Sequence, residues 1–138
     1  MLMSLAGPLR VTTLAGAPVA CIDRGASVAD AARAMAAAGV GALVAGTADA
    51  PYGILTEHDL VAVVAAGRNP ETTRVEAVAS TTLVWCDADA TIAEVAEVMM
   101  EHYVRHVLVE DGGTLIGVVS ARDVLGAYAA EDIVTPLG

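Results

Sequence analysis

Two stretches of this chain bring a hydroxyl, a basic or titratable side chain and a carboxylate close together: Thr56-Glu57-His58-Asp59 and Ser120-Ala121-Arg122-Asp123. Each follows a glycine and two apolar residues, Gly53-Ile54-Leu55 and Gly117-Val118-Val119. A carboxylate has two acceptor oxygens and can take both hydroxyls of a cis-diol. A hydroxyl at a helix start stands where free N–H groups and the helix dipole already favour an anion. An arginine is always charged and forks onto phosphate, whereas a histidine is only partly charged near neutral pH. The same Thr/Ser-x-x-Asp spacing is also a helix capping box, in which hydroxyl and carboxylate satisfy backbone N–H groups reciprocally. Ligand contact and capping both suit Asp59 and Asp123, and the two roles are compatible.

Other chemistry-bearing residues form no pattern of this kind. His102 and His106 are four apart, but a helix ending between them removes the shared face that a metal pair needs. Cys21 and Cys86 lie far apart, on adjacent positions of equivalent strands, and should face opposite ways as buried, reduced thiols. No Ser/His/Asp or Cys/His order stands out, and no glycine-rich phosphate loop of the P-loop or dinucleotide-binding type occurs. Met35, Met99 and Met100 read as core residues, and Trp85 as a packing residue that could also stack on a base.

The two stretches are one motif stated twice. Gly53 and Gly117 are 64 positions apart (117 − 53), and the same shift maps Ser27-Val28-Ala29-Asp30 onto Thr91-Ile92-Ala93-Glu94. It also maps Asp23 onto Asp87, Met35 onto Met99 and Arg10-Val11 onto Arg74-Val75. One register held over that length means two copies of one structural unit.

Within each copy, Val11 to Gly16 and Val75 to Ser80 read as a short helical lead-in. Pro18 to Ile22 and Leu83 to Cys86 are apolar runs that suit a strand. Ser27-x-x-Asp30 and Thr91-x-x-Glu94 are capping boxes. They open helices with apolar residues at i, i+3, i+4 and i+7: Val28, Ala31, Ala32, Met35 and Ile92, Val95, Ala96, Met99. These helices should end near Gly39 and Tyr103. Val40–Ala45 and Tyr52–Leu55, and likewise Val104–Val109 and Leu115–Val119, read as hairpin strands around turn residues. A second helix then starts at Thr56 or Ser120, and Ile133 to Gly138 reads as a tail.

The chain has 138 residues and a net charge of −10, and Phe is absent. A field of that sign opposes nucleic-acid phosphates and anionic lipid, and no basic cluster compensates. The longest stretch free of Asp, Glu, Lys and Arg, Ala34 to Ala48, is too short and glycine-rich for the roughly 20 apolar residues of a membrane span. The start, Met1-Leu2-Met3-Ser4-Leu5, lacks a basic secretory n-region. The expectation is a soluble, cytoplasmic protein with no nucleic-acid or membrane partner.

A tandem unit of this size, ending in Gly-hydrophobic-hydrophobic-Ser/Thr-x-x-Asp, resembles the CBS domain, named for cystathionine β-synthase. Two such units resemble a CBS pair, or Bateman module, over residues 10–130. The resemblance implies an α/β fold of the α+β type, with two tandem β-α-β-β-α repeats about a pseudo-twofold axis. The first repeat with its lead-in spans 1–70 and the second, with a short tail, 71–138; together they form one globular, stand-alone module.

Two clefts between the repeats would bind adenosine-containing ligands such as AMP, ADP, ATP, NAD or S-adenosylmethionine. The motif Asp would hold ribose hydroxyls, the Ser/Thr would contact phosphate, and the residue before the Asp would reach phosphates. Carried over, these are Thr56, His58 and Asp59, and Ser120, Arg122 and Asp123. Ala20, Ile22, Val84 and Cys86, with Val40 and Val104, would line the apolar slot for the base.

The copies depart from each other at Gly41-Ala42 against Arg105-His106, and His58 stands where arginine is more usual. The Arg122–Asp123 side is therefore better suited to an anionic nucleotide, with polyphosphates needing Mg2+ in so acidic a chain. The implied function is a non-catalytic regulatory module with no metal site and no tightly bound cofactor, acting on a protein target that the residues do not identify. The alternative is a structural module with empty clefts. Either would form homodimers through helical faces at Leu60–Ala66 and Val124–Ala130.

Overall fold

The duplication is reproduced element by element in the computed structural model, which describes residues 6–14 and 19–134, with side chains to Ala130. In the first repeat, β1 (Cys21–Ile22), α1 (Val28–Ala38), β2 (Ala42–Gly46), β3 (Pro51–Thr56) and α2 (Glu57–Ala65) follow in order, and a short α3 (Val75–Val78) comes after. The second repeat has β4 (Trp85–Asp87), α4 (Ile92–His102), β5 (His106–Asp111), β6 (Thr114–Ser120) and α5 (Ala121–Val134). This is a mixed α+β architecture of two three-stranded sheets, ordered β1-β2-β3 and β4-β5-β6.

Register carries the 64-residue shift into three dimensions. Cys21 pairs with Val44 in a parallel ladder, and Trp85 pairs with Leu108 in the same way. The antiparallel partners Ala42↔Thr56 and His106↔Ser120 also correspond, and both hairpins slip by one residue at the same place, after Ala45 and after Val109.

Local chemistry explains the helix limits. Ser27 Oγ accepts the Asp30 N–H at 3.0 Å, and Thr91 Oγ1 accepts the Glu94 N–H at 3.2 Å. The Thr91 box is complete, because Glu94 Oε1 accepts the Thr91 N–H. The Ser27 box is not: the Asp30 carboxylate turns to Arg33 one helical turn on, so only half of the expected motif forms. Both helices end in the left-handed conformation, at Gly39 (φ 67°) and Tyr103 (φ 53°). Glycine enters that region freely, whereas a tyrosine there is strained.

Two compact units result. One is Val19–Leu83; the other joins the described residues of Met1–Pro18 to those of Val84–Gly138. Each unit thus takes its lead-in from the other copy's sequence. A 3-10 turn at Val11–Thr13 inserts Val11, fully buried, among Ile92, Val95, Val107 and Val119. In the Val19–Leu83 unit Val75 of α3 takes the corresponding place, with Ala31, Met35, Leu43 and Leu55.

Backbone bonds make the two dockings alike. The first free N–H of each long helix is taken by a lead-in carbonyl: Val28 by Thr73 and Ile92 by Leu9, both at 2.8 Å. Those donors would otherwise be unsatisfied at the helix start. Burying one valine contributes about 2 kcal/mol.

Several expectations are corrected. Cys21 is exposed, not buried, while Cys86 is buried, so the two cysteines do differ in face. Cys21 sits in a two-residue strand, β1, where alternation turns Ile22 rather than Cys21 toward the core. Met100 is exposed, because the apolar stripe of α4 passes through Val95 and Met99. Helix α5 continues through Val134, beyond the expected start of the tail; the remainder, 135–138, lies outside the described residues, as do 15 and 16 of the lead-in.

Candidate functional site

Each motif sits where the last strand of a hairpin turns into a helix. Helix α2 starts at Glu57, whose N–H goes to the Gly41 carbonyl at 3.0 Å. Helix α5 starts at Ala121, whose N–H goes to the Arg105 carbonyl at 2.7 Å. The start of the middle strand thus fixes the start of the second helix in both repeats. It also sets the backbone of Arg105 against the motif carrying Arg122, whereas Gly41 holds the equivalent position in the first repeat.

Capping occupies one oxygen of each motif aspartate. Asp123 Oδ2 accepts the Ser120 N–H at 2.9 Å, and Ser120 Oγ accepts the Asp123 N–H at 3.0 Å. Asp59 Oδ2 accepts from the Thr56 N–H at 2.8 Å and from its hydroxyl at 3.2 Å. In both cases Oδ1 has no hydrogen-bond partner among the described residues, so the capping role leaves one acceptor for something else. Asp59 is half-buried and Asp123 exposed, as are His58 and Arg122, while Thr56 and Ser120 are half-buried.

The expected apolar residues lie at the same ends of the sheets as the motifs. The Ala20 carbonyl accepts the Val44 N–H, and Ala42 pairs with Thr56 across β2. Ala20 and Thr56 therefore flank one end of β2, two strand spacings or about 10 Å apart. Val84 and Ser120 flank β5 in the same way, through Leu108 and His106. Ala20, Ile22 and Val84 are half-buried and pack partly on their own cores, while Cys86 is a core residue. Val104 is half-buried and Val40 exposed.

His102 closes α4 and bonds the Val98 carbonyl through Nδ1, whereas His106 opens β5, so the two share no helix face. Among the described residues no three His, Cys, Asp or Glu side chains converge as metal ligands, and no helix is long and apolar enough to cross a membrane.

Arg68 and Val78, which the motif pattern did not single out, line a groove along α2 with Asp59. Arg68 lies outside both repeated motifs, so spacing gives no signal for it; Glu71, three residues on, binds Arg33.

Two tandem sheet–helix units with matched strand–helix junctions define the class, and the chain belongs to the CBS domain family, whose model matches residues 11–66 and 75–130. It is similar to hypoxic response protein 1 of Mycobacterium tuberculosis, 36% identical over 110 residues that cover 78% of this chain and 77% of the relative. A crystal structure of Hypoxic Response Protein I with two coordinated zinc ions is 33% identical, with a TM-score of 0.70 over 85% of this chain and 97% of that one. A CBS domain protein from Pyrobaculum aerophilum complexed with AMP is 25% identical, with a TM-score of 0.74 over 88% of this chain and 99% of its own. The hexameric CBS-CP12 protein of bloom-forming cyanobacteria is 29% identical, with a TM-score of 0.80 over 94% and 77%.

Proposed function

We propose that this chain is a non-catalytic regulatory module that binds an adenosine-containing ligand, of the AMP, ADP or ATP type, at the strand–helix junctions of its CBS repeats. The observation that carries this reading is the half-used carboxylate of Asp59 and of Asp123. Each is clamped through Oδ2 and keeps Oδ1 available to a ribose hydroxyl. Hydrogen bonds to a carboxylate are stronger than neutral ones, and a clamped acceptor loses little freedom on binding. The AMP complex of the Pyrobaculum relative supports the ligand class. Ser120 and Arg122 at the second junction suit phosphate, with Mg2+ accompanying polyphosphates.

Isothermal calorimetry against AMP, ADP, ATP, NAD and S-adenosylmethionine, with and without Mg2+, tests it. Binding of at least one of them, weakened in Asp123→Asn or Asp59→Asn, is the expected result. Absence of heat with every ligand would leave the alternative, a structural module that only self-associates.

That second reading has an observation of its own. Val61 and Val64 on α2 and Leu125 on α5 are more than half exposed, and apolar side chains of that size on a helix face suit burial against another copy. The hexameric relative supports assembly without giving its order. Sedimentation of the wild type and of Val61→Lys/Val64→Lys separates the cases; an unchanged, monomeric boundary for both would end the self-association reading.

A further inference from the structure

A groove of about 240 Å3 runs along α2 inside the Val19–Leu83 unit, lined by Asp59, Ala62, Val63, Ala66, Arg68 and Val78. Positions 59, 62, 63 and 66 form one helical face, while α3 supplies Val78. Arg68 follows the helix, held by its N–H on the Val63 carbonyl. The lining is thus apolar apart from Asp59, near the start of α2, and Arg68, just past its end. From residue 59 to residue 66 the helix rises about 10 Å.

All seven basic residues of the chain are arginines. Arg10 pairs with Asp89, Arg24 with Glu76, and Arg33 with both Asp30 and Glu71. Arg74 donates to the Gly25 carbonyl. Among the described residues, the guanidinium groups of Arg68, Arg105 and Arg122 have no such partner. Four of the seven arginines are thus engaged and three are not, in a chain with 17 carboxylates. Two of the three belong to the second junction, where Arg122 is in the motif and the Arg105 backbone caps α5. The third lines the groove with Asp59.

We propose that Arg68 is the phosphate-contacting residue of the first repeat, supplying the fixed positive charge that His58 does not. A nucleoside phosphate with its ribose hydroxyls on Asp59 would lie against Ala62, Val63 and Val78 and direct its anionic end to Arg68. The long arginine stem reaches back along the groove, and the fork holds two phosphate oxygens at once. This assignment rests on the nucleotide reading above.

The test removes the second junction with Arg122→Gln/Asp123→Asn and measures AMP and adenosine binding by calorimetry in that background. Adding Arg68→Gln should weaken AMP by about tenfold to a hundredfold, the range for losing a charged hydrogen bond, and leave adenosine unchanged. Arg68→Lys keeps the charge but loses the fork and should recover only part of the AMP affinity, and Asp59→Asn should weaken AMP and adenosine alike. Unchanged AMP affinity in Arg68→Gln, with Asp59→Asn still harmful, overturns the role of Arg68 and leaves the nucleotide reading intact. Equal losses of AMP and adenosine in Arg68→Gln also overturn it, since a phosphate contact cannot act on adenosine. A background that binds neither ligand while the wild type binds AMP removes the first repeat from the site. A wild type that binds neither refutes the nucleotide reading itself.

Discussion

Ser120 and Asp123 hold each other: the serine hydroxyl oxygen accepts the Asp123 N–H at 3.0 Å, and the aspartate oxygen accepts the Ser120 N–H at 2.9 Å. The pair fixes the carboxylate before any ligand arrives. It also sets cap and ligand roles on different oxygens, so substitutions can separate them.

Ser120→Ala removes the acceptor for the Asp123 N–H and should cost about 1 kcal/mol of stability, the usual loss for a helix cap. Asp123→Asn keeps an acceptor oxygen for the Ser120 N–H and should stay close to wild type in urea denaturation. Its nucleotide affinity should nevertheless fall, because the charge on the remaining oxygen is gone. If Asp123→Asn were as unstable as Ser120→Ala yet bound nucleotide normally, the division between the two oxygens would be wrong.

Val11 and Val75 are both fully buried, in different units. Val11→Ala should cost about 2 kcal/mol through lost burial and the cavity left behind, with amide exchange accelerating in α4 and β5. Val75→Ala should act on β2 and β3 instead. The reverse assignment, with Val11→Ala loosening β2 and β3, would contradict the exchanged lead-ins.

Glycine serves two different purposes at two positions. A Cβ on Gly53 would lie 2.6 Å from the Ser80 backbone carbonyl oxygen. The Ile54–Ser80 bridge, with bonds of 2.9 Å in both directions, would then have to open. A Cβ on Gly41 would meet the far end of the Glu57 side chain, which can swing into solvent. Thermal denaturation should therefore show Gly53→Ala destabilised by about 2 kcal/mol, within the range for backbone clashes, and Gly41→Ala nearly unaffected. Similar melting temperatures for the two variants would count against the close approach at Ser80.

Tyr103 ends α4 with φ 53° while its side chain is 94% exposed, so little packing offsets the strain. Tyr103→Gly should raise stability by about 0.5 kcal/mol, because glycine enters the left-handed region without a Cβ clash. A loss of stability would mean that the tyrosine ring has a partner outweighing the strain.

The Cys86 thiol is pushed up to about 11, first by burial and then by the charges of Asp87 and Glu110. A folded-state value above the ordinary 9.0 means that the unfolded chain loses this proton first as pH rises. Its contribution to stability is complete below about 9 and declines as pH rises toward about 11. Urea denaturation across that window should show a shallower decline in Cys86→Ala than in wild type. A thiol-reactive probe should modify the exposed Cys21 in the native protein and reach Cys86 only after unfolding. Two native thiols reacting at equal rates would contradict the burial difference.

Much of the architecture was legible in local spacing. The 64-residue shift, the apolar i, i+3, i+4, i+7 stripes and the helix ends at Gly39 and Tyr103 all depend on interactions within a few residues, and they appear in the structure as read. The Ser27 box shows where such reading stops. Asp30 had the right spacing for a cap, but its carboxylate binds Arg33 one turn away and the box stays half formed.

The sequence by itself determined the repeated unit, its strand and helix order and the paired aspartates, because periodicity and capping are short-range. It could not decide which core would receive Val11. The two copies carry nearly the same apolar pattern, so either accepts the same lead-in, and only the packing of the whole chain joins Val11 to Ile92 and Val75 to Leu55. Tertiary structure likewise decided which arginines are engaged. Glu71 is three residues from Arg68 in sequence and 38 from Arg33, yet α1 brings Arg33 to it, while Arg68 lines the groove with Asp59.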